Sequence, residues 1–260
     1  FESHFTVERT LGSGEFSEAF AARFKDDKRL YAVKRTKFPY AGLRDRQRQL
    51  NEVEILWRIG QHPHCICLVD AWEQMGHLYL QMELCSGGSL KEHMDAQCAN
   101  DKLAETEIWD MFADMVAGLK HIHDLGILHL DLKPANVLLD DNGRLRIGDF
   151  GLAVMEPLSR DIEREGDREY IAPEILDGKY GRPADVFSLG LIVLEMAANV
   201  VLPDNGLPWR KLRNGDLSDC DFTGTSTLLV TCIRHMLNPV PSKRPTVTDL
   251  TDKLQKACSV

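Results

Sequence analysis

The sequence predicts an α+β fold of two lobes, in which a small antiparallel β-sheet lobe with one main helix precedes a larger, mostly helical lobe. Residues 5–83 form short runs of aromatic and β-branched residues between turn signals, a pattern typical of strands. The charged segment 45–59 departs from this pattern and has helical spacing. From residue 89 onward helical periodicity dominates, and one apolar stripe consists of Ile108, Met111, Phe112, Met115, Val116 and Leu119.

The change of pattern predicts where the lobes join. The glycine pair at 87–88 suits a flexible link, and a helix is expected to begin near Ser89 because serine favours the N-cap position. Prolines and glycines predict irregular surface structure at 199–227. We therefore predict one domain with three parts, a sheet lobe at 1–84, a hinge at 85–88 and a helical lobe at 89–260.

Composition limits the classes of function. The 260 residues are 43% hydrophobic, which is enough for a sizeable core. A net charge of −9 disfavours binding to nucleic acid. The longest apolar stretch, 186–198, falls short of the roughly 20 residues of a membrane span, so this domain is expected to be soluble and to make no membrane contact. Seven scattered cysteines without a CxxC pair favour a reducing, intracellular compartment.

A glycine-rich turn lies between two strand-like runs at 12–19, with the sequence Gly-Ser-Gly-Glu-Phe-Ser-Glu-Ala. Its glycines would let backbone N–H groups approach phosphate oxygens. Ser17 and Ala19 replace the third glycine and the valine of the usual pattern, so this signal is weak when taken alone. Lys34 ends the next strand-like run and is predicted to hold two phosphates of ATP, with Glu52 of the following helix as its partner.

The strongest signal is His-Leu-Asp-Leu-Lys-Pro-Ala-Asn at 129–136. In this pattern Asp131 would accept the proton of a substrate hydroxyl, and Asn136 would hold Mg²⁺. Asp149, followed by Phe and Gly, offers a carboxylate for Mg²⁺, and Ala-Pro-Glu at 172–174 closes a segment that would position a protein substrate. The joint spacing predicts a protein kinase domain, although single aspartates at turns are commonly structural.

The predicted reaction is transfer of the γ-phosphate of ATP to a protein hydroxyl. Lys34 and Mg²⁺ would neutralise phosphate charge, Asp131 would orient the acceptor, and Lys133 would contact the transferred phosphate. Arg244 is expected to pair with Glu174 inside the helical lobe.

Several stretches are more specific than these general motifs. They are 60–63, 70–73, 83–89, 129–131, 165–170 and 202–206 together with Trp209. On these residues the chain resembles the Wee and Myt family of inhibitory cell-cycle kinases, most of all its fungal Wee branch, over nearly its whole length. Glu165-Gly166-Asp167 is the best discriminator.

The resemblance implies a substrate, a location and a set of nucleotide contacts. The substrate would be a cyclin-dependent kinase bound to cyclin, phosphorylated on a tyrosine of its own glycine-rich loop, which delays mitosis. The location would be intracellular, chiefly the nucleus, and the domain is expected to be monomeric. Met82 aligns with the gatekeeper, and backbone groups of Glu83 and Cys85 would contact adenine. The predicted nucleotide-binding residues are Leu11, Gly12, Ser13, Gly14, Ala19, Ala32, Lys34, Met82, Glu83 and Cys85.

Leu130 departs from the common kinase pattern, in which an arginine binds a phosphorylated activation loop. Activity without loop phosphorylation is therefore expected. The hydroxyls between residues 149 and 174 are those of Ser159 and Tyr170.

Two alternatives remain open. Asp-Leu-Lys-Pro at 131–134 is typical of serine/threonine kinases, which leaves a kinase of the stress-type translational regulator group. The departures at Ser17 and Leu130 leave a catalytically inactive pseudokinase scaffold. The second alternative is disfavoured because Lys34, Glu52, Asp131, Asn136 and Asp149 are all present.

Overall fold

A five-stranded sheet with one helix inserted after its third strand comes first along the chain, and the other helices follow. The computed structural model describes residues 1–98, 102–158 and 166–257. The described strands are β1 (Phe5–Ser13), β2 (Ser17–Phe24), β3 (Leu30–Thr36), β4 (Leu68–Gln74), β5 (His77–Glu83), β6 (Ile127–Leu128), β7 (Val137–Leu139), β8 (Leu145–Ile147) and β9 (Val154–Met155). The described helices are α1 (Leu43–Ile59), α2 (Leu90–Cys98), α3 (Glu105–Asp124), α4 (Arg182–Ala198), α5 (Gly206–Arg213), α6 (Thr227–Met236) and α7 (Val247–Ala257). The predicted fold class is confirmed, whereas the domain boundaries stay predictions.

The sheet and α1 form the first layer pair. All neighbouring strands are antiparallel, and the order β1-β2-β3-β5-β4 places β3 in the middle. α1 packs against β4 and β5 and buries Ile55, Leu56 and Ile59. Glu52 lies one turn before this apolar face, so helical geometry directs its carboxylate inward as well.

The helical part is built around α4. Residues 184–198 of this helix are all buried, as expected for a helix that is apolar on nearly every side. α3 packs beside it, and the predicted apolar stripe of α3 is buried throughout. In the part of the chain that the structure describes, no helix combines the length and the apolar character needed to cross a bilayer.

Two short strand pairs hold the loops between the sheet and the helices. β6 pairs with β9, and β7 pairs with β8. The loop 129–136 therefore leaves one pair and enters the other, and residues 148–153 connect β8 back to β9. Both loops are anchored at each end by backbone ladders, which brings their polar side chains to the same region.

The structure confirms the predicted start of α2 and corrects the prediction for α5. The helix after the hinge begins at Leu90, and Ser89 and Glu92 cap it reciprocally, since Ser89 Oγ accepts from the Glu92 N–H at 3.2 Å and Glu92 Oε2 accepts from the Ser89 N–H at 2.7 Å. The prediction of irregular structure at 199–227 is wrong for α5. Pro208 is tolerated there because it occupies the first turn, where backbone N–H groups have no intrahelical acceptor.

Candidate active site

Lys34 of β3 makes two ion pairs, one with α1 and one with the segment between β8 and β9. Its Nζ lies 2.8 Å from Glu52 Oε1 and 2.9 Å from Asp149 Oδ1. Burial alone would lower the pKa of Lys34, but the two carboxylates outweigh burial and raise it. The lysine therefore stays cationic at neutral pH and is fixed in place.

The two carboxylates have different environments. Burial raises the pKa of Glu52 in spite of Lys34, whereas Lys34 lowers the pKa of Asp149 in spite of burial. The side chain of Asp149 is 48% exposed, and that of Glu52 is 12% exposed. Glu52 thus serves to position Lys34, while Asp149 keeps a charged carboxylate that is half exposed.

The backbone of loop 129–136 is held by Asp185 of α4. This buried carboxylate accepts from the N–H groups of His129 at 3.0 Å and Leu130 at 2.8 Å, and it lies 2.9 Å from Nε2 of His123. Leu130 has a left-handed φ of 62°, which costs a non-glycine residue about 1–3 kcal/mol. The bonds to Asp185 offset that cost and set the direction in which the next residue points.

Asp131 is held by three neighbours. Asn136 Nδ2 donates to its backbone carbonyl at 2.8 Å and to Oδ2 at 2.9 Å. Lys133 Nζ lies 3.3 Å from Oδ2, and the N–H of Asp167 donates to Oδ1 at 2.9 Å. Both carboxylate oxygens are therefore oriented, and both approach cationic or donating groups.

Asp167 and Gly166 are site residues that the sequence indicated only as family markers. Asp167 Oδ2 lies 3.1 Å from Lys133 Nζ, so Lys133 bridges two carboxylates. Burial would lower the pKa of Lys133, but Asp131 and Asp167 raise it. A Cβ on Gly166 would overlap the carbonyl oxygen of Leu130 and come within 3.1 Å of Asp131 Oδ1. No spacing rule in the sequence predicts this close approach.

The cross-strand register aligns the predicted nucleotide-binding residues. Gly12 pairs with Ala19, and Ala19 pairs with Lys34, so these three positions form one row across β1, β2 and β3. Ala32 lies two residues before Lys34 on β3, so the two side chains share one face of the sheet. Ala32 pairs with Met82 of β5. A Cβ on Gly12 would meet nothing within 4 Å, so there is open space beside this position. Leu11 lies on β1 immediately before this row.

The link after β5 is fixed by polar contacts. The carboxylate of Glu83 accepts from the N–H of Cys67 at 2.9 Å and from Arg146 Nη1 at 3.0 Å. Cys85 is buried, and burial raises the pKa of its thiol to about 12. Cys85 is therefore an unreactive part of the link whose predicted contribution is its backbone.

Asn136 and Asp149 suit a divalent metal ion by their chemistry. The amide nitrogen of Asn136 is used by Asp131, which leaves its carbonyl oxygen as the metal donor. Oxygen donors are what hard divalent cations prefer, and ions that bind phosphates usually take only one or two protein carboxylates. Among the described residues, no group of three or more His, Cys, Asp or Glu is placed to hold a metal ion.

The segment that ends at 172–174 is fastened to the helices. Arg244 forms a bidentate pair with Glu174, with distances of 2.6 and 2.8 Å, as the sequence predicted. Tyr170 Oη donates to the buried Glu195 at 2.6 Å. The Tyr170 hydroxyl is therefore enclosed, and Ser159 lies outside the described residues.

Comparison with known proteins gives the family. A family model described as the protein kinase domain matches residues 5–254. The mitosis inhibitor protein kinase wee1 of Schizosaccharomyces pombe is 44% identical over 92% of this chain and 30% of its own length. A membrane-associated tyrosine- and threonine-specific cdc2-inhibitory kinase of Caenorhabditis briggsae is 38% identical over all of this chain and 38% of its own length.

A probable protein kinase of Dictyostelium discoideum is 38% identical over 99% of this chain and 75% of its own length. The chain spans less than a third of the length of the two mitosis-inhibitor kinases matched first, 30% and 19%. Because the kinase model covers nearly the whole chain and these relatives cover most of it, the chain belongs to the protein kinase family and, within it, to the Wee group.

Proposed function

We propose that this protein kinase domain, which uses ATP and a divalent metal ion, works with Mg²⁺ and phosphorylates the glycine-loop tyrosine of a cyclin-dependent kinase bound to cyclin. Such phosphorylation would delay entry into mitosis. Two observations carry the proposal: Asp131 is held by Asn136, Lys133 and Asp167, and Lys34 is paired with Asp149. The substrate is proposed from relatives whose names describe mitosis inhibition and cdc2 inhibition.

The residues have separable roles in this reaction. In the proposed step the substrate oxygen forms a bond to the γ-phosphorus, the bond to the β–γ bridging oxygen breaks, and ADP leaves. Asp131 orients the hydroxyl and accepts its proton, while Lys34 and Lys133 balance phosphate charge. Bound at Asn136 and Asp149, Mg²⁺ would supply positive charge to the phosphate oxygens. Leu11, Gly12, Ser13, Gly14, Ala19, Ala32, Met82, Glu83 and Cys85 are proposed to enclose the nucleotide.

These observations favour an active kinase over the two alternatives. A pseudokinase scaffold has no need of a charged Lys34 locked between two carboxylates and a catalytic loop anchored on Asp185. The serine/threonine alternative rests on residues 131–134 alone, and it is tested by the experiment below. A chiefly nuclear location and a monomeric domain belong to the proposal as well.

Asp167 is proposed as a positioning residue that takes over part of the task of a phosphorylated loop. Leu130 offers no guanidinium to a phosphate, yet Asp167 connects the substrate segment directly to Asp131 and Lys133. This arrangement supports the expected activity without loop phosphorylation.

Substituting Gly166→Ala is expected to lower kcat/KM by about a hundredfold. The added methyl group would push residues 166–167 away from Leu130 and Asp131, and displacements of about 1 Å at a reacting centre cost that much. Steady-state kinetics on a tyrosine peptide would measure the loss. Gly181→Ala is the matched control, because its backbone is extended and its Cβ would meet Pro183 at an ordinary 3.5 Å. Equal activity of the two variants would contradict the close approach.

The experiment that tests the function is transfer of labelled γ-phosphate by the purified domain to a catalytically inactive cyclin-dependent kinase bound to cyclin. Mass spectrometry would identify the modified residue, and a complex with phenylalanine at the glycine-loop tyrosine is the control. Phosphate on that tyrosine, absent from the control, is the expected result. Phosphate on serine or threonine alone would support the stress-type alternative, and no transfer despite ATP binding would support the scaffold.

A further inference from the structure

Arg213 ends α5 and is a buried cation, with only 4% of its surface exposed. Its Nη2 donates to the carbonyls of Arg168 at 3.0 Å and Glu169 at 2.8 Å. Its Nε and Nη1 are buried without a hydrogen-bond partner among the described residues. The guanidinium lies 4.3 Å from the centre of the Trp209 ring and 5.9 Å from that of Phe187. Because burying a cation with unused donors is costly, the ring faces and the two carbonyls must stay in place around it.

The two carbonyls belong to a turn of residues 167–171, which we call the substrate turn. The N–H of Glu169 donates to Asp167 Oδ1 at 3.1 Å. The N–H groups of Tyr170 and Ile171 donate to the Asp167 carbonyl at 3.0 and 2.9 Å. Asp167 itself contacts the catalytic loop through its own N–H and through Oδ2. The position of Asp167 therefore depends on how the substrate turn is held.

Two peptide units connect Arg213 to Asp167. A peptide unit is planar, so its carbonyl and the N–H of the following residue move together. The unit that carries the Arg168 carbonyl accepts from Arg213 and donates, through its N–H, to Asp167 Oδ1. The next unit accepts from Arg213 through the Glu169 carbonyl and donates to the Asp167 carbonyl. By fixing the carbonyls of both units, Arg213 also fixes the two N–H groups that bind Asp167.

We propose that Arg213 is a positioning residue for phosphoryl transfer, which acts through these two peptide units to hold Asp167 against the catalytic loop without a loop phosphate. The inference rests on the proposed function. Errors of about 1 Å in the placement of reacting groups cost about a hundredfold in rate, so a contact outside the reacting centre affects the reaction when it sets that placement. A backbone carbonyl accepts a hydrogen bond whether or not the segment is phosphorylated. The contact therefore supplies order that Leu130 cannot obtain from a phosphate.

The contact predicts which substitutions retain activity. Both hydrogen bonds come from one nitrogen, Nη2, and a lysine ammonium also has several donors and is attracted to aromatic faces. Arg213→Lys is therefore expected to keep kcat on a tyrosine peptide within about threefold of wild type, whereas Arg213→Met should lower it about tenfold. The Kd for ATP should change by less than about threefold in both variants, because the contacts of Arg213 are with the substrate turn and aromatic rings.

The decisive readout is the coupling to Asp167. In an Asp167→Ala background, Arg213→Met should cost less than about threefold, because the carboxylate through which Arg213 acts is gone. Arg210→Met is the matched control, since Arg210 is an exposed arginine of the same helix, and it should keep wild-type kcat. Trp209→Phe removes the N–H that donates to the Arg168 carbonyl at 2.8 Å and should lower kcat about threefold. Should Arg213→Met not fold, Trp209→Phe takes its place in both backgrounds.

The variants would be assayed after phosphatase treatment, with rates divided by the number of ATP-binding sites from calorimetric titration and with thermal unfolding as the check of stability. A loss in Arg213→Met that lysine restores, and that shrinks in the Asp167→Ala background, supports the inference. Equal losses in the lysine and methionine variants, equal losses in both backgrounds, or unchanged kcat in Arg213→Met would overturn it. An untreated wild-type domain that is active but loses its activity on phosphatase treatment would also overturn it.

Failure of the proposed function gives a different result. An untreated wild-type domain would then leave the tyrosine unmodified in both the cyclin-dependent kinase complex and the peptide, and the positioning role would fail with it. Normal wild-type transfer with unaffected Arg213 variants removes the positioning role alone.

Discussion

Asp131→Asn is expected to lower kcat by about a thousandfold while the Kd for ATP changes by less than about threefold. An amide cannot accept the proton of the substrate hydroxyl, so the loss falls on the transition state. Nucleotide affinity should be retained because the partners of Asp131 are Asn136, Lys133 and Asp167. Lys34, the predicted phosphate-binding residue, is instead held by Glu52 and Asp149. Steady-state kinetics and calorimetric titration with ATP would measure the two quantities.

Two controls make this prediction sharp. Asp252→Asn removes an exposed carboxylate of α7 and should leave both quantities at wild-type values. Asp131→Ala should lose as much activity as the amide variant, which excludes an effect of a misplaced amide group. Full activity in Asp131→Asn with normal ATP binding would remove Asp131 from the catalytic role.

Asp149→Asn is expected to lower kcat/KM for ATP by about a hundredfold or more and to raise the Mg²⁺ concentration needed for half-maximal rate. The substitution removes the exposed carboxylate whose pKa Lys34 lowers, and a metal ion contributes several kcal/mol of charge stabilisation to phosphoryl transfer. In contrast to Asp131→Asn, nucleotide binding in the presence of Mg²⁺ should weaken as well. Titrations of rate and of ATP affinity against Mg²⁺ would separate the two variants.

Asp114→Asn is a useful comparison for Asp149→Asn. Asp114 is a buried carboxylate that accepts from Arg144 and from the N–H of Leu145, so its loss tests structure rather than metal binding. A Mg²⁺ dependence of Asp149→Asn equal to that of wild type would show that this carboxylate is not a metal ligand.

Much of the site follows from the sequence because phosphoryl transfer requires particular residue types at particular spacings. Sequence pattern predicts Lys34, Glu52 and Asp149 as site residues, and the structure brings both carboxylates within 3 Å of Lys34 Nζ. The buried face of α3 also follows from the sequence, because a helix has 3.6 residues per turn and its apolar residues recur with that period.

The structure alone showed how that site is supported. Asp167 reaches Lys133 across 34 residues, and Arg213 reaches Arg168 across 45. Contacts at such separations leave no trace in local periodicity, because they depend on how α4, α5 and the substrate segment pack together. The helix α5 is not predicted for a different, local reason. Gly206 and Pro208 predict irregular structure unless their position within the first turn of a helix is known.

The sequence by itself thus determined the fold class, the family and the residues with chemistry to perform. The tertiary structure decided which neighbours hold those residues in place. The division has a physical reason. The chemistry of phosphoryl transfer requires particular residue types, so the reacting residues can be recognised in the sequence. Supporting contacts depend on packing, which many residue types can satisfy.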